Sequence, residues 1–541
     1  MKKRKDNAPN IVLITADQLR WDYVGAYGNG WIKTPNIDSI ATEGCICERA
    51  YSPNPVCIPA RYNLITGLTA KHHGFDDNYF GPQAKPCPYY LPTFAQILSD
   101  AGYATAAIGK MHFQPERRAT GFDMFLNCDE VVYDVSEDDY ARFLVEKGYG
   151  DIGSIHGVRN ILYMQPQQSL LPEELHGSSW VGDKSAEYIR NRVTRDRPFL
   201  LWAGFIAPHP PLDVPHSWAH MYDGKVPPHT VNKTPLCKIA EENKTNAFLP
   251  GEVEINRMRE TYAASVSFMD HNVGKILRAI DESGLKDNTL VVFVSDHGEM
   301  LGDLNTYQKF LAYDASMRIP MLLRWPGHIE KGSSFKGFAD LNDLLPTFLD
   351  VSGTDYPADY ELPGESLFSK EPKKDRTVQY GEYQHGSKRW CVLMDRRYKF
   401  VHHYGDIEEL FDLEKDPDET TNMLYGNPEK EILEIRARLK ERLLEYEFKC
   451  GLPGHIENGE FVQFPPYEIV PRREGIFPTV RKKDLNDPSF RPIQEDILQA
   501  ISDEPLVKID NLVPDLVLKN YGGLNYNEIR DFKHKAKILG H

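Results

Sequence analysis

No stretch of this 541-residue chain is an apolar run of the roughly 20 residues that a membrane-spanning helix needs, so no membrane crossing is expected. Positive charge is short as well. Sixty-three Lys and Arg stand against 79 Asp and Glu, a formal net charge of −16, which argues against nucleic acid as a partner because phosphate backbones call for a basic face. Cysteine is sparse: 8 residues in no dense pattern do not make a disulfide scaffold. Cys45 and Cys47 sit too close for an ordinary bridge and read as buried thiols. Internal repeats and low-complexity tracts are lacking. The basic opening Met1-Lys-Lys-Arg-Lys-Asp6 is not followed by the apolar segment and cleavage site of a signal peptide, so a cytoplasmic location is expected.

What remains is the composition of a water-soluble globular protein, 41% hydrophobic and 26% charged, long enough for one large domain and a smaller one. Three short unbroken apolar runs, Asn10 to Thr15, Phe199 to Phe205 and Thr289 to Val294, are of the kind that form strands buried on both faces. Helical spacing recurs between them. It covers Leu91 to Ala101 and a long stripe of Ile255, Met258, Tyr262, Val266, Met269, Val273, Ile276, Leu277 and Ile280, which reads as core. Leu344 to Val351 is a further helix closed by Gly353. Strands alternating with helices predict an α/β fold, a large mainly parallel sheet sandwiched by helices. In such sheets ligands sit at the carboxyl ends of the strands, and Asp17, His209, Asp296 and His297 each follow closely on one of the apolar runs.

After about Lys370 the pattern changes to short alternating segments, Tyr398 to Val401 and Glu409 to Pro417, followed by a charged amphipathic helix from Glu429 to Phe448. The expected organisation is a catalytic domain over residues 1–370, a small antiparallel sheet with one helix over 371–450, and a C-terminal extension over 451–541. The extension is rich in Pro, Tyr and charge, with short apolar clusters such as Ile497 to Ile501. Wrapping over the body and pairing with a second subunit in a homo-oligomer are its two expected uses.

The most telling segment is Pro55-Val56-Cys57-Ile58-Pro59-Ala60-Arg61-Tyr62-Asn63-Leu64-Ile65-Thr66-Gly67. A lone cysteine at a helix start is ordinarily a small core hydrophobe. Here it is joined by Gly102-Tyr103-Ala104-Thr105 and Gly109-Lys110-Met111-His112, by Ala207-Pro208-His209-Pro210, by Lys309 ahead of Tyr313-Asp314 and Arg318, and by Leu410 to Pro417. Together these resemble, over about residues 8–420, the type I sulfatases of the alkaline phosphatase superfamily.

The resemblance implies that Cys57 is oxidised by a formylglycine-generating enzyme to the aldehyde whose hydrate attacks sulfur. It implies that Arg61, Lys110, His209 and Lys309 surround the sulfate, with Lys309 or His209 protonating the leaving alcohol, and that His112 serves the formylglycine diol. Asp17, Gln18, Cys57, Asp296 and His297 would hold one divalent cation. Gln18 and His297 depart from the Asp and Asn that many sulfatases carry, and are similar to phosphonate monoester hydrolases and choline sulfatases. Calcium is the family expectation, while the imidazole of His297 also suits manganese or zinc. The expected activity is hydrolysis of a sulfate ester on a carbohydrate or small molecule. The alternatives are a phosphonate or phosphate ester hydrolase on the same scaffold, and a silent anion- or metal-binding protein whose Cys57 is never oxidised. His73, Asn78 and Gln308 lie near the motif residues, as pocket lining or as packing behind it.

Overall fold

An unbroken apolar strand is stable only where both of its faces are covered, and the three runs above occupy the middle of the main sheet. The computed structural model describes residues 5, 7–79, 86, 88–115, 117–118, 120–132, 135–152, 154–157, 163–191, 196–244, 252–369 and 376–469. The main-sheet strands are β1 (Asn10–Asp17), β2 (Cys45–Tyr51), β3 (Ala104–Gly109), β4 (Met124–Asn127), β5 (Phe199–Pro208), β6 (Thr289–Ser295), β7 (Arg318–Ile319), β8 (Met321–Arg324) and β9 (Ser333–Asp340). They run in the order β9-β2-β8-β6-β1-β5-β3-β4, with β7 paired to β2. β1 pairs in parallel with β5 and β6, and β3 with β4 and β5. β8 is antiparallel to its neighbours β2 and β6, and β7 is antiparallel to β2. The sheet is therefore mainly parallel, as its apolar strands predict.

Alternation within β1 shows why the run is unbroken. Val12 and Ile14 join one core with helices α1 (Pro35–Thr42), α4 (Gly177–Asn191) and α5 (Glu252–Glu282). Ile11 and Leu13 face the other core, with α2 (Cys57–Thr66), α3 (Phe94–Asp100) and α6 (Leu344–Ser352). The α5 stripe is buried throughout. Helix α3 is shorter than its spacing suggests because Thr93 caps it, its side chain accepting from the Gln96 amide at 3.1 Å. Helix α6 ends at Gly353, whose φ of 73° closes it in the left-handed region.

The smaller sheet is antiparallel, β10 (Gln379–Tyr383), β11 (Trp390–Met394), β12 (Tyr398–His403) and β13 (Glu409–Asp412) in sequence order. One face carries Cys391, Leu393, Phe400 and Leu410 against Leu439 and Leu443 of α7 (Lys430–Cys450). Its other face sets Trp390, Val392, Val401 and Phe411 on Met300, Leu304, Leu311 and Tyr313, in the segments that follow β6. The small sheet thus backs the chain that carries Lys309. Of the 451–541 extension, residues 470–541, including the Ile497 to Ile501 cluster, lie outside the described residues. No described helix is long and apolar enough to cross a membrane.

Two glycines fix the spacing at the carboxyl end of the sheet. Gly109 and Gly204 are register partners in β3 and β5, and the Lys110 amide donates to the Gly204 carbonyl at 2.8 Å. A Cβ on Gly204 would stand 2.2 Å from the Lys110 carbonyl oxygen, a backbone atom that cannot step aside. Gly204→Ala is therefore expected to cost about 1–3 kcal/mol of stability by overpacking and to displace Lys110. Urea unfolding at equilibrium checks the first effect. A variant of unchanged midpoint would show that β3 and β5 can separate without strain.

Candidate active site

Five strand ends deliver the polar residues. β1 ends in Asp17 and is followed by Gln18; β6 is followed by Asp296 and His297; β3 by Lys110 and His112; β5 by His209; and β4 by Glu130. Cys57 is the first residue of α2, after Val56 in extended conformation, and all ten residues of this helix are buried. The positive end of its macrodipole therefore meets the strand ends.

Arg61 sits one helical turn beyond Cys57 and ties the site together. Its Nε donates to Asp296 Oδ2 at 2.9 Å, Nη2 to Asp17 Oδ2 at 3.1 Å and Nη1 to the Lys110 carbonyl at 2.7 Å. Lys110 Nζ forms ion pairs with Asp17 and Glu130. His209 Nε2 lies 3.3 Å from Glu130 and 3.0 Å from Lys309 Nζ. Lys309 also donates to Gln18 Oε1 at 2.5 Å, and Gln18 Nε2 donates to Glu299. The Cys57 sulfur lies 3.1 Å from His297 Nε2 and 3.8 Å from Asp17 Oδ1. His112 is buried on the Lys110 loop with a positive φ of 60°.

Burial pushes the Asp17 carboxyl up, and Asp296 adds to this, but the Lys110 and Arg61 cations outweigh both and hold it at about 2. Burial likewise raises Asp296, against which His297, Arg61 and Lys110 hold it at about 2. Both are carboxylates at neutral pH. Burial and the nearby Lys309 keep His209 well below the usual imidazole range, so it is neutral. Its Nδ1–H donates to the Pro210 carbonyl at 2.5 Å, which leaves Nε2 to accept from Lys309. Burial disfavours the Lys309 cation, yet the surrounding negative groups raise its pKa. The proton between this pair therefore belongs to the lysine.

One donor set suits a cation. Single atoms of Asp17, Cys57, Asp296 and His297 lie within 4.8 Å of one another, all buried. His297 Nδ1 is committed to the Gly298 carbonyl at 2.9 Å, so the Nε2 lone pair faces the carboxylates, the orientation a metal-ligating imidazole takes. Gln18 offers its carbonyl oxygen to Lys309, which leaves that oxygen a second lone pair.

Sequence reasoning did not single out Glu130 and Glu299. Glu299 accepts from the amides of Leu301 and Gln308 as well as from Gln18. Its position two residues past His297 was the available signal. Gln18, His112, Leu301, Gln308 and Phe310 all have φ between 51° and 81°, left-handed backbone that side chains ordinarily avoid and that gathers at functional sites. Asn78 accepts from the Ile58 amide at 2.9 Å and so touches the start of α2. His73 meets Asn63 at 2.6 Å in the interior behind that helix.

The model of the sulfatase family matches residues 9–354. The chain belongs to the sulfatase family. A model described as the C-terminal part of N-sulphoglucosamine sulphohydrolase matches residues 302–449 of the chain. An arylsulfatase of Clostridium perfringens is 33% identical over 81% of this chain and 94% of its own length. A choline-sulfatase of Rhizobium meliloti is 27% identical over 78% of this chain and 83% of its own. The crystal structure of a phosphonate monoester hydrolase of Agrobacterium radiobacter shares the fold, with a TM-score of 0.70 at 23% identity, covering 85% of this chain and all of the other. This sulfatase is accordingly a hydrolase of sulfate esters, with the alkaline phosphatase-like fold that its sequence predicts.

Removing Arg61 would leave two buried carboxylates without their bridge. Arg61→Met is expected to cost about 3–5 kcal/mol, and an added divalent cation should restore more stability to the variant than to the parent. Unfolding measured with calcium and with chelator checks this. Equal responses in the two proteins would mean that Arg61 and the cation do not share the same pair of carboxylates.

Proposed function

We propose that this sulfatase hydrolyses a sulfate ester of a carbohydrate or small molecule, using formylglycine made from Cys57 and one divalent cation. The observation that carries the reading is the meeting of Cys57 with Asp17, Asp296 and His297 at the mouth of α2, ringed by Arg61, Lys110, His209 and Lys309. The sulphoglucosamine and choline named in the matches support the two substrate types. A maturation enzyme that oxidises Cys57 is implied as a partner.

Sulfate ester hydrolysis must neutralise an anion, present a strong nucleophile and protonate an alcohol. A divalent cation held by Asp17, Asp296 and His297, with the Gln18 carbonyl oxygen as a further donor, would supply positive charge to the sulfate and to the attacking hydroxyl. Calcium fits the carboxylates, and manganese or zinc fits the imidazole. Oxidised and hydrated, residue 57 carries two hydroxyls on one carbon. One hydroxyl, losing its proton to Asp296, forms the new S–O bond as the S–O bond to the alcohol breaks. Lys309 gives that alcohol its proton, since His209 is neutral and accepts from it. Arg61 and Lys110 hold the charge that grows on the sulfate oxygens, the kind of fixed electrostatics that contributes most to many enzymes. His112 then takes the proton of the second hydroxyl, the C=O bond re-forms, and sulfate leaves. A thiol at position 57 cannot complete that second half.

A phosphonate or phosphate ester hydrolase is the second reading, favoured by Gln18, His297 and the structural likeness above. Parallel assays of an aryl sulfate and an aryl phosphonate separate the two. The retained Lys110 and His112 favour the sulfate.

Cys57→Ser is expected to accept one sulfuryl group and stall, so a single-turnover burst should leave a sulfated enzyme visible by mass spectrometry. Cys57→Ala should retain its fold and lose turnover; a tenth of parental activity would mean another nucleophile. Lys110→Ala should lower kcat/KM for a sulfate ester by about 10²–10³. His112→Ala should keep a fast first turnover and accumulate sulfated enzyme in rapid-quench kinetics. A His112→Ala enzyme without burst or trapped intermediate would remove this histidine from the second step.

A further inference from the structure

Away from the strand ends, a second group of metal-type donors comes together where the small sheet meets the catalytic body. Cys237 precedes the short helix Lys238–Asn243, His403 ends β12 and Glu409 begins β13. All three are buried, at 1%, 5% and 2% exposure. His403 Nε2 lies 2.8 Å from Glu409 Oε2, and the Cys237 sulfur faces the same pair. One donor atom from each lies within 4.8 Å of the other two. Glu409 is itself oriented: its Oε1 accepts from the Tyr313 hydroxyl at 2.8 Å.

We propose that Cys237, His403 and Glu409 form a second metal site, of the zinc type, which fastens the small sheet to the body of the enzyme. The donor chemistry selects the ion. A thiolate and an imidazole are soft or borderline ligands that zinc accepts and calcium does not, and with three protein ligands the fourth tetrahedral position would fall to a water, as in zinc sites that keep one position open. Metal–ligand bonds of ordinary zinc length set the edges of the tetrahedron at about 3.4–3.6 Å. The His403–Glu409 pair at 2.8 Å would thus open by roughly 0.6 Å as its proton is replaced by the ion. The Tyr313 hydroxyl is the outer hydrogen bond that fixes a ligating carboxylate.

The location gives the site a purpose. Cys237 comes from the segment between β5 and α5, whereas His403 and Glu409 belong to neighbouring strands of the small sheet. Tyr313 lies four residues past Lys309. An ion here would cross-link two parts of the chain that are distant in sequence, close to the segment carrying a sulfate-site lysine.

Cobalt(II) is the probe, because a thiolate ligand announces itself by a charge-transfer band in the near ultraviolet. The test uses Cys57→Ala protein, stripped with chelator, so that the sulfate site offers no thiol. Titration with cobalt should develop the band to saturation, beside a thiol-free cobalt at Asp17, Asp296 and His297 that adds no such band, and zinc should displace it. The band should be lost in the Cys57→Ala, Cys237→Ser double variant. Absence of the band in Cys57→Ala protein, or its persistence without Cys237, overturns the proposal. Should the double variant not fold, zinc protection of Cys237 from alkylation in Cys57→Ala protein, read by peptide mass spectrometry, decides the matter. Equal alkylation with and without zinc overturns the site.

Discussion

Two carboxylates buried side by side repel one another, and the candidate active site depends on how that repulsion is answered. Donor oxygens of Asp17 and Asp296 lie within 4.8 Å of each other, where two unit charges at an effective dielectric of about 20 repel by roughly 3–4 kcal/mol. Arg61 contacts both with separate nitrogens of one planar fork, a geometry that a lysine's single ammonium cannot reproduce. Its third contact fixes the Lys110 carbonyl, so the same side chain also sets the backbone beside the next cation. The spacing Cys57-x-Pro59-x-Arg61 then has a mechanical meaning. Residues four apart share one face of a helix, so the turn that presents the cysteine to the strand ends also presents the guanidinium. Pro59 lies within the first turn, where the helix needs no amide donor.

The rest of the fold holds that arrangement in place. β1 lies between β5 and β6, so Asp17 is flanked by the strands that lead to His209 and to Asp296. Gly109 and Gly204 let β3 and β5 approach closely enough for Lys110 to join them. Lys309 has no strand of its own, and its loop contains several left-handed non-glycine residues. Such a loop is costly and must be supported from outside, which explains the small sheet. Trp390 Nε1 donates to the Phe310 carbonyl at 2.9 Å, next to Lys309, and Lys399 donates to the Ala312 carbonyl at 3.1 Å. Hydrogen bonds and packing from the small C-terminal sheet thus determine where Lys309 stands.

Much of this was legible in the sequence, for reasons visible in particular residues. Asn10 to Thr15 and Thr289 to Val294 are unbroken because both faces of their strands are covered, so Asp17 and Asp296 could be placed at strand ends without a structure. Cys57 and Arg61 were picked out by the resemblance of Cys57-x-Pro59-x-Arg61 to a family motif, and the structure sets both on helix α2. Glu130 was not, because its strand, Met124–Asn127, is short and only half buried and gives no apolar run to mark its end. Glu299 follows a recognised strand, but an acidic residue in a turn carries no sign that it braces Gln18. The Cys237, His403 and Glu409 cluster was beyond reach for another reason. More than 160 residues separate the cysteine from the histidine, and only tertiary packing makes them neighbours.

The charge of the molecule and the charge of the site point in opposite directions, and the distance over which each acts reconciles them. A formal net charge of −16 repels an anionic ester at long range. At physiological ionic strength, however, the field of exposed charges is screened within about 8 Å. Arg61, Lys110 and Lys309 are at most 3% exposed, so their field is little weakened by salt. Their carboxylate partners keep them charged and fixed in position at the same time. In the proposed reading a sulfate entering this pocket would compete with Asp17, Glu130 and Gln18 for cations already in place, so little reorganisation would be required when negative charge accumulates on its oxygens. The acidic surroundings thus help the basic site, by holding its lysines protonated and its guanidinium aimed.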